Sequence, residues 1–470
     1  MMKNFSQIGF ILATLGSSIG LGHIWRFPYM AGQNGGGAFV LLFLVLALSV
    51  GVAMLIGEML IGHKTKKNTA DAFKELDPNP KKMWKYAGLT LFGGPFILTF
   101  YCIVLGWVLY YLFVVSFNLP LDSKEAEVVF TSLLTSSLSA QIASFSAILF
   151  FTGLIVSFGI KDGIERLNIV LIPLLFVIFI GLLVYAMFQP SFLQAWHFLF
   201  DFKYEAINFN VIVAAMGQMC FSLSLGIGII ITYSASTKEN QNLLKSALWV
   251  TIPGVLISLI AGLMIFTFVY QYDVQAGDEA GLVFQALPIV FSKIGMGGVV
   301  ISVLFFVGLA FAGITSTVSL LEPSVMFFVQ KYQKNRIATT WAIVGCIYMC
   351  GLVLILSLHR DYEGIFNIFG QSLFKWVDFS SSAVIMPLGA LVGVIFVGWV
   401  IKKQNLSAMT QYFLSPRIFI LWFYIIRFVA PLIIIVAWVG LILESRDYTY
   451  ATIFKSFISW VEHIFGLGSN

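Results

Sequence analysis

The sequence predicts an all-α polytopic membrane protein, a bundle of eleven transmembrane helices, on three observations. Hydrophobic residues make up 59% of the 470 positions and charged residues 10%, whereas about a quarter of the residues in a soluble domain are charged. Apolar segments long enough to cross a bilayer, for which about 20 residues are needed, are centred near residues 18, 50, 105, 150, 178, 222, 258, 308, 345, 390 and 430. The basic residues between them fall on one alternating set of loops.

The first segment starts at Phe5 and is too long and Gly-rich, and too lacking in a cleavage site, for a secretory signal; it reads as the first span. The loops at Lys3, 64–85, Lys161 and Arg166, Lys238 and Lys245, 331–336 and 402–417 carry the basic bias, so they define the cytoplasmic side. The opposite loops, such as "LDSKEAE" and "YDVQAGDEAG", are acidic or lightly basic. The expected placement is multi-pass in a plasma membrane, the inner membrane if the source is bacterial, with the amino terminus cytoplasmic. The net charge of +5 reflects this loop bias and gives no support for a nucleic-acid partner. Cys102, Cys220, Cys346 and Cys350 all fall in apolar spans, where thiols act as small hydrophobes, so no disulfide framework is expected. An eleventh span is placed at 412–443. The segment 447–468 is interrupted by Lys455, Glu462 and His463 and reads as an amphipathic surface helix, with a short twelfth span as the alternative.

Two spans are weakened by glycine. "GSSIGLGHIWRFPYMAGQNGGGAF" lies within the first span, and a second interrupted stretch, "GQMCFSLSLGIGIIITYSA", follows about two hundred residues later. Glycine costs about 1 kcal/mol in a helix interior, and backbone groups freed within lipid must find partners. Gly16 and Gly20 also fit a small-residue packing pattern, but a matched interruption in the second half points to inverted repeats with a binding site near the bilayer midplane. The halves are expected at 5–188 and 206–404. Carbonyls exposed at such a break suit a cation, and half-helix amino ends suit a carboxylate.

These stretches, with "GEMLIG", "GPFILTFYCIVLGW", "AGLMIF" and "FAGITSTVSLLEP", resemble the neurotransmitter:sodium symporters over nearly the whole chain. The resemblance implies a LeuT-like 5+5 inverted-repeat bundle with broken first and sixth helices, and transport of an amino acid coupled to sodium. One sodium site is implied at Gly16, Ile19, Ala312, Thr315 and Ser316, although Thr315, Ser316 and Thr317 also suit hydroxyls that bond back to their own helix. At the family's second sodium site, where side-chain oxygens are usual, this sequence has His23, Ser222 and Gly254. Two hypotheses stand for His23: an imidazolium replaces that sodium beside the substrate carboxylate, bringing protons into transport, or a neutral ring is hydrogen-bonded in the core.

The implied substrate pocket comprises Ser17, Ser18, Leu21, Gly22, His23, Ile97, Tyr101, Phe221, Ser222, Ser224, Ile227, Ser316, Ser319 and Leu320. Tyr101 corresponds to a hydroxyl for the carboxylate and Phe221 to an aromatic lid. The pocket's apolar, small-residue character fits a hydrophobic amino acid. Arg26 and Asp378 match an outer gate pair, while Asn4, Ser236 and Gln330 stand at inner-gate positions, so an ionic inner gate is not expected as a unit. A candidate chloride site is Gln218, Ser222 and Ser258, with Phe43 where a Tyr donor is usual. Glu58 and Glu322 read as buried structural supports. No catalytic residues are assigned: the five histidines are isolated, and no nucleophile or phosphate motif is present. No obligatory protein partner is expected beyond the bilayer itself. An uncoupled or proton-coupled permease, or a substrate sensor on the same fold, is the rival reading.

Overall fold

The computed structural model describes residues 4–272, 279–368 and 371–443. The amphipathic helix expected at 447–468 lies outside them. Among the described residues nine helices are long and apolar enough to cross a membrane, or ten counting one pair bent by 53°. In chain order these and the shorter helices that bear on the site are α1 (Gln7–Ser18), α2 (Gly22–Gln33), α3 (Gly37–Thr65), α4 (Met83–Phe117), α5 (Leu138–Ser157), α6 (Ile160–Met187), α7 (Phe209–Ser222), α8 (Ile229–Ala235), α9 (Leu243–Tyr272), α10 (Leu282–Lys293), α11 (Gly297–Tyr332), α12 (Arg336–Leu356), α13 (Leu373–Val400) and α14 (Pro416–Gly440). The bent pair is α1 and α2. Helices α7 and α8 stand where the sixth span was expected, and α8 has only 7 residues. One two-residue ribbon, β1 (Asn367–Ile368) with β2 (Gln371–Ser372), joins α12 to α13.

Helix α11 is the axis, packed against α1, α4, α5 and α6. Its contact stripe is built from small residues, Ala312, Thr315, Ser316 and Ser319 among them, all buried; in a bilayer, where lipid tails are as apolar as Leu, such close backbone approach is what holds helices together. The outer surface is the reverse of a soluble protein's: Phe113, Val177, Trp249 and Leu432 are exposed. That apolar surface is what a hydrocarbon environment requires. Widened π turns at Gly22–Arg26 and Ser380–Ile385, a geometry frequent near functional sites, sit in the helices that carry Arg26 and Asp378.

Candidate functional site at the two helix breaks

Helix α1 begins on a capping serine, Ser6, whose hydroxyl accepts the Gly9 N–H at 2.9 Å. It stops at Ile19, whose ψ of 79° leaves the helical region, and α2 restarts three residues later. The gap is narrow because position 20 has no side chain: a Cβ there would stand 2.5 Å from Ser316 Oγ and 2.9 Å from Tyr101 Oη. Tyr101, from α4, accepts the Leu21 N–H at 3.3 Å. The break therefore places a backbone N–H of the first span on a phenol of the third.

The second break runs between α7 and α8. Ser224 has φ of 51° and Gly226 and Gly228 have φ of 85° and 77°, a conformation glycine adopts without strain. The Gly226 N–H donates to Glu58 Oε1 at 2.8 Å, so the carboxylate expected as a structural support holds the second break open. Gly226 also faces the α13 backbone, where a Cβ would stand 2.6 Å from the Met386 carbonyl oxygen. Ser224 Oγ reaches across to the Ser17 carbonyl at 2.7 Å, tying the two breaks together.

The residues expected to hold sodium are brought together by α1 and α11. Ser316 Oγ lies 3.2 Å from the Ala312 carbonyl, 3.4 Å from that of Gly16 and 3.5 Å from that of Ser17. Thr315 Oγ1 lies 2.9 Å from the Ala312 carbonyl and 3.1 Å from that of Phe311, the back-bonding pattern named above. Ile19 stands at the end of α1 with its carbonyl outside the helical ladder. The set is neutral, hard and oxygen-only, which suits an alkali cation; three of its five members already share one hydroxyl.

The substrate-pocket residues divide. Ser17 and Ser18 turn their hydroxyls back to the Thr14 carbonyl at 2.8 and 3.2 Å, leaving the Ser17 carbonyl to face the breaks. Ile97 and Ile227 are buried. Ser319 Oγ is engaged elsewhere, accepting from Tyr233 Oη at 2.8 Å and donating to the Thr315 carbonyl at 2.7 Å, and the Leu320 carbonyl packs on Gly94 of α4. Phe221 lies under the Arg26 guanidinium, whose carbon is 4.7 Å from the ring centroid. Arg26 thus engages the lid directly, and the described ion pairs do not include Arg26 with Asp378. A hollow bordered by Arg26, Phe221, Ser382, Met386 and Trp438 adjoins this contact.

His23 is buried, and its Nδ1 has no hydrogen-bond partner. Its Nε2 is 3.1 Å from where a Cβ on residue 254 would stand, so ring and glycine are complementary: the imidazole fills space that a side chain on α9 would need. Beside it, Gln218 Nε2 donates to the Gly22 carbonyl at 2.8 Å and to Ser222 Oγ at 2.9 Å, which uses both amide hydrogens and leaves Oε1 without a partner. Ser258 Oγ lies 3.4 Å from the Gly254 carbonyl. Gln218 thus turns a buried acceptor toward the candidate chloride position, Phe43 brings no hydroxyl there, and the Ser222 hydroxyl, which accepts from Gln218, remains as a donor.

At the basic end of the bundle, the contacts between elements are mostly uncharged. The Phe5 N–H donates to the Ser236 carbonyl at 2.9 Å, and the Phe5 ring packs edge-on to Tyr233, with centroids 5.4 Å apart. The Asn68 N–H donates to Gln330 Oε1 at 2.6 Å, Ser6 Oγ donates to Glu165 at 2.5 Å, and Lys66 Nζ donates to the Thr237 carbonyl at 2.6 Å. Burial lowers the Lys66 ammonium to a pKa of about 8, with Glu239 opposing and Lys64 reinforcing that shift. Ser236 and Gln330, expected to leave the inner gate without its ionic pair, therefore enter a different set of bonds. Glu165, Thr237 and Asn168 were missed, because single polar residues near span ends give no pattern in sequence.

Comparison with known proteins bears on this arrangement. The sequence model of the sodium:neurotransmitter symporter family matches residues 3–141 and 135–469. The protein named "Uncharacterized sodium-dependent transporter YhdH" of Bacillus subtilis (strain 168) is 33% identical over 447 residues, covering 93% of this chain and 97% of that protein. "Sodium-dependent nutrient amino acid transporter 1" of Drosophila persimilis is 26% identical over 534 residues, covering 98% of this chain and 78% of that protein. Among solved structures, the crystal structure of MhsT in complex with L-phenylalanine superposes with a TM-score of 0.84 at 32% identity, covering 94% of this chain and 99% of that one.

Proposed function

The chain belongs to the sodium:neurotransmitter symporter family, is an integral membrane transporter and not an enzyme, and on that premise we propose that it takes up a hydrophobic amino acid with sodium by alternating access. The observation that carries the reading is the meeting of the two breaks: the Ser17 carbonyl receives Ser224, Ser316 reaches the Gly16 carbonyl, and Tyr101 holds the Leu21 N–H. The similarity to a structure that holds L-phenylalanine supports the substrate class. In this reading the halves 5–188 and 206–404 are the inverted repeats, and the amino terminus is cytoplasmic in a plasma membrane, the inner membrane in a bacterium.

The substrate carboxylate would meet the N–H groups at the start of α2 and the Tyr101 hydroxyl, with its side chain toward Ile97, Phe221 and Ile227. Sodium at Gly16, Ile19, Ala312, Thr315 and Ser316 would hold α1 against α11, so that its release frees one half from the other. A charged His23 would supply beside the carboxylate the positive charge that a second sodium would otherwise bring. Burial of the ring opposes its charged form, so this second element depends on the substrate carboxylate arriving beside it.

The test is accumulation of labelled amino acids in proteoliposomes under an inward sodium gradient, an inward proton gradient, or neither. Accumulation that requires sodium is expected, with a pH dependence that His23→Asn abolishes. Accumulation under protons alone would move coupling to His23, and none under any gradient would make the protein an uncoupled permease or a sensor. A pH profile of His23→Asn identical to the parent's would remove the proton role.

A further inference from the structure

One buried polar atom close to Gly16 has no hydrogen-bond partner. Asn168, on α6, is fully buried. Its Nδ2 donates to the Ile164 carbonyl one turn back at 2.8 Å, which assigns the other atom of the amide as oxygen, and that Oδ1 has no hydrogen-bond partner. It points at Gly16. A Cβ built on Gly16 would collide with Asn168 Oδ1 and would stand 3.1 Å from Thr315 Cβ. The absent side chain at 16 is thus the opening through which an oxygen from α6 reaches the place where α1 and α11 meet.

Burying an amide oxygen unsatisfied costs about 1–3 kcal/mol, and a leucine would fill the space without that penalty. Gly16 and Thr315 are both members of the proposed sodium set, and Asn168 Oδ1 lies against the side-chain position of Gly16, which Thr315 also borders. We propose that Asn168 Oδ1 belongs to the cation site as a further neutral oxygen, so that sodium there is held by three helices, α1, α6 and α11. The inference rests on the sodium reading above and extends it. It gives α6 a part in coupling: a cation gripped from this side cannot leave until α6 moves away from α1, whose amino end the same helix also holds through Ser6 and Glu165.

The experiment is a sodium titration of the thermal melting of the purified full-length protein without substrate, with N-methyl-D-glucamine keeping ionic strength constant; a ligand that binds only the folded state raises its stability with concentration. The parent, Asn168→Ala, Asn168→Asp and Thr315→Ala are compared. Asn168→Ala is expected to raise the half-saturating sodium about tenfold, the size of effect typical for a lost supporting group around a metal, and Asn168→Asp, which keeps an oxygen in place, to leave it at or below the parent's. A structural role alone would lower melting in the absence of sodium without moving the half-saturation. Half-saturation in Asn168→Ala equal to the parent's, with Thr315→Ala shifted, overturns the role of Asn168 and leaves the site standing. A Thr315→Ala variant that titrates like the parent, or a parent that does not respond, overturns the sodium site and this inference with it. Where Asn168→Ala does not fold, Asn168→Asp decides: weaker sodium binding than the parent's overturns the proposal.

Discussion

Replacing Gly226 by alanine isolates what the second break demands of its backbone. At φ of 85° an alanine pays about 1–2 kcal/mol for the left-handed conformation. Its Cβ would collide with the Ala390 amide nitrogen and stand 2.6 Å from the Met386 oxygen and 2.8 Å from the Gly389 carbonyl carbon. These are backbone atoms that cannot rotate aside, so relief requires moving α13, at a cost of about 1–3 kcal/mol by analogy with overpacked cores. The sum is a destabilisation of about 2–5 kcal/mol from a single methyl. Gly217, nine residues earlier in α7, is the internal control: nothing lies within 4 Å of a Cβ there, and an alanine in a helix interior gains up to about 1 kcal/mol. Thermal melting of both purified variants, with accumulation in proteoliposomes alongside, reads the contrast. Gly226→Ala should melt well below the parent and lose uptake, and Gly217→Ala should melt at or above it. A Gly226→Ala variant that melts with the parent and transports would refute the claim that α13 fixes the second break.

Three further outcomes follow from particular contacts. Tyr101→Phe leaves the Leu21 N–H unpartnered and removes a hydroxyl from the carboxylate position, so equilibrium binding of the amino acid identified by uptake should weaken about tenfold, or about 1.4 kcal/mol. Arg336 donates to Glu322 Oε1 at 3.1 Å, to its other oxygen, and through Nε to the Val156 carbonyl at 2.9 Å; Arg336→Ala strands a fully buried carboxylate and should cost about 3–5 kcal/mol in melting, most of it recovered by Arg336→Met combined with Glu322→Gln. Lys66 titrates near pH 8 when folded against an ordinary 10.5: between those values the unfolded chain binds the extra proton, so stability rises with pH. The parent should therefore gain melting temperature from about pH 8 to 10.5 relative to Lys66→Met.

Long apolar runs made the spans legible: the described helices bracket every predicted centre, from α3 around residue 50 to α14 around residue 430. The breaks were legible because glycine interrupts a span at two corresponding places, and Ile19 and Ser224 depart from helical geometry within those stretches. What stayed hidden needed three dimensions. The bond from Glu58 to Gly226 joins residues 168 apart, and nothing in "GEMLIG" names its partner. Glu322 was expected as a buried structural support, and it meets Arg336 across the short loop after α11, a pairing that depends on how α12 turns back. The outer gate shows the same limit: Arg26 and Asp378 were matched by resemblance, and nothing in the sequence shows that the guanidinium at the end of the π turn Gly22–Arg26 also sits on Phe221. Hydroxyl direction was likewise unreadable: the Ser17 hydroxyl turns back to the Thr14 carbonyl, and its own carbonyl receives Ser224.

The uncharged contacts at the basic end have a consequence for the surroundings in which the protein works. Two of the ion pairs there, Lys67 with Glu75 and Arg166 with Asp162, stay within one local segment, while the buried pair of Arg336 and Glu322 joins α12 to α11. The other contacts that cross between segments are a backbone amide on the Ser236 carbonyl, an amide on Gln330, a phenylalanine on Tyr233, a lysine on a carbonyl and a serine hydroxyl on Glu165. Dissolved salt weakens attraction between exposed opposite charges, over about 8 Å at physiological ionic strength, but has little purchase on a latch of this kind.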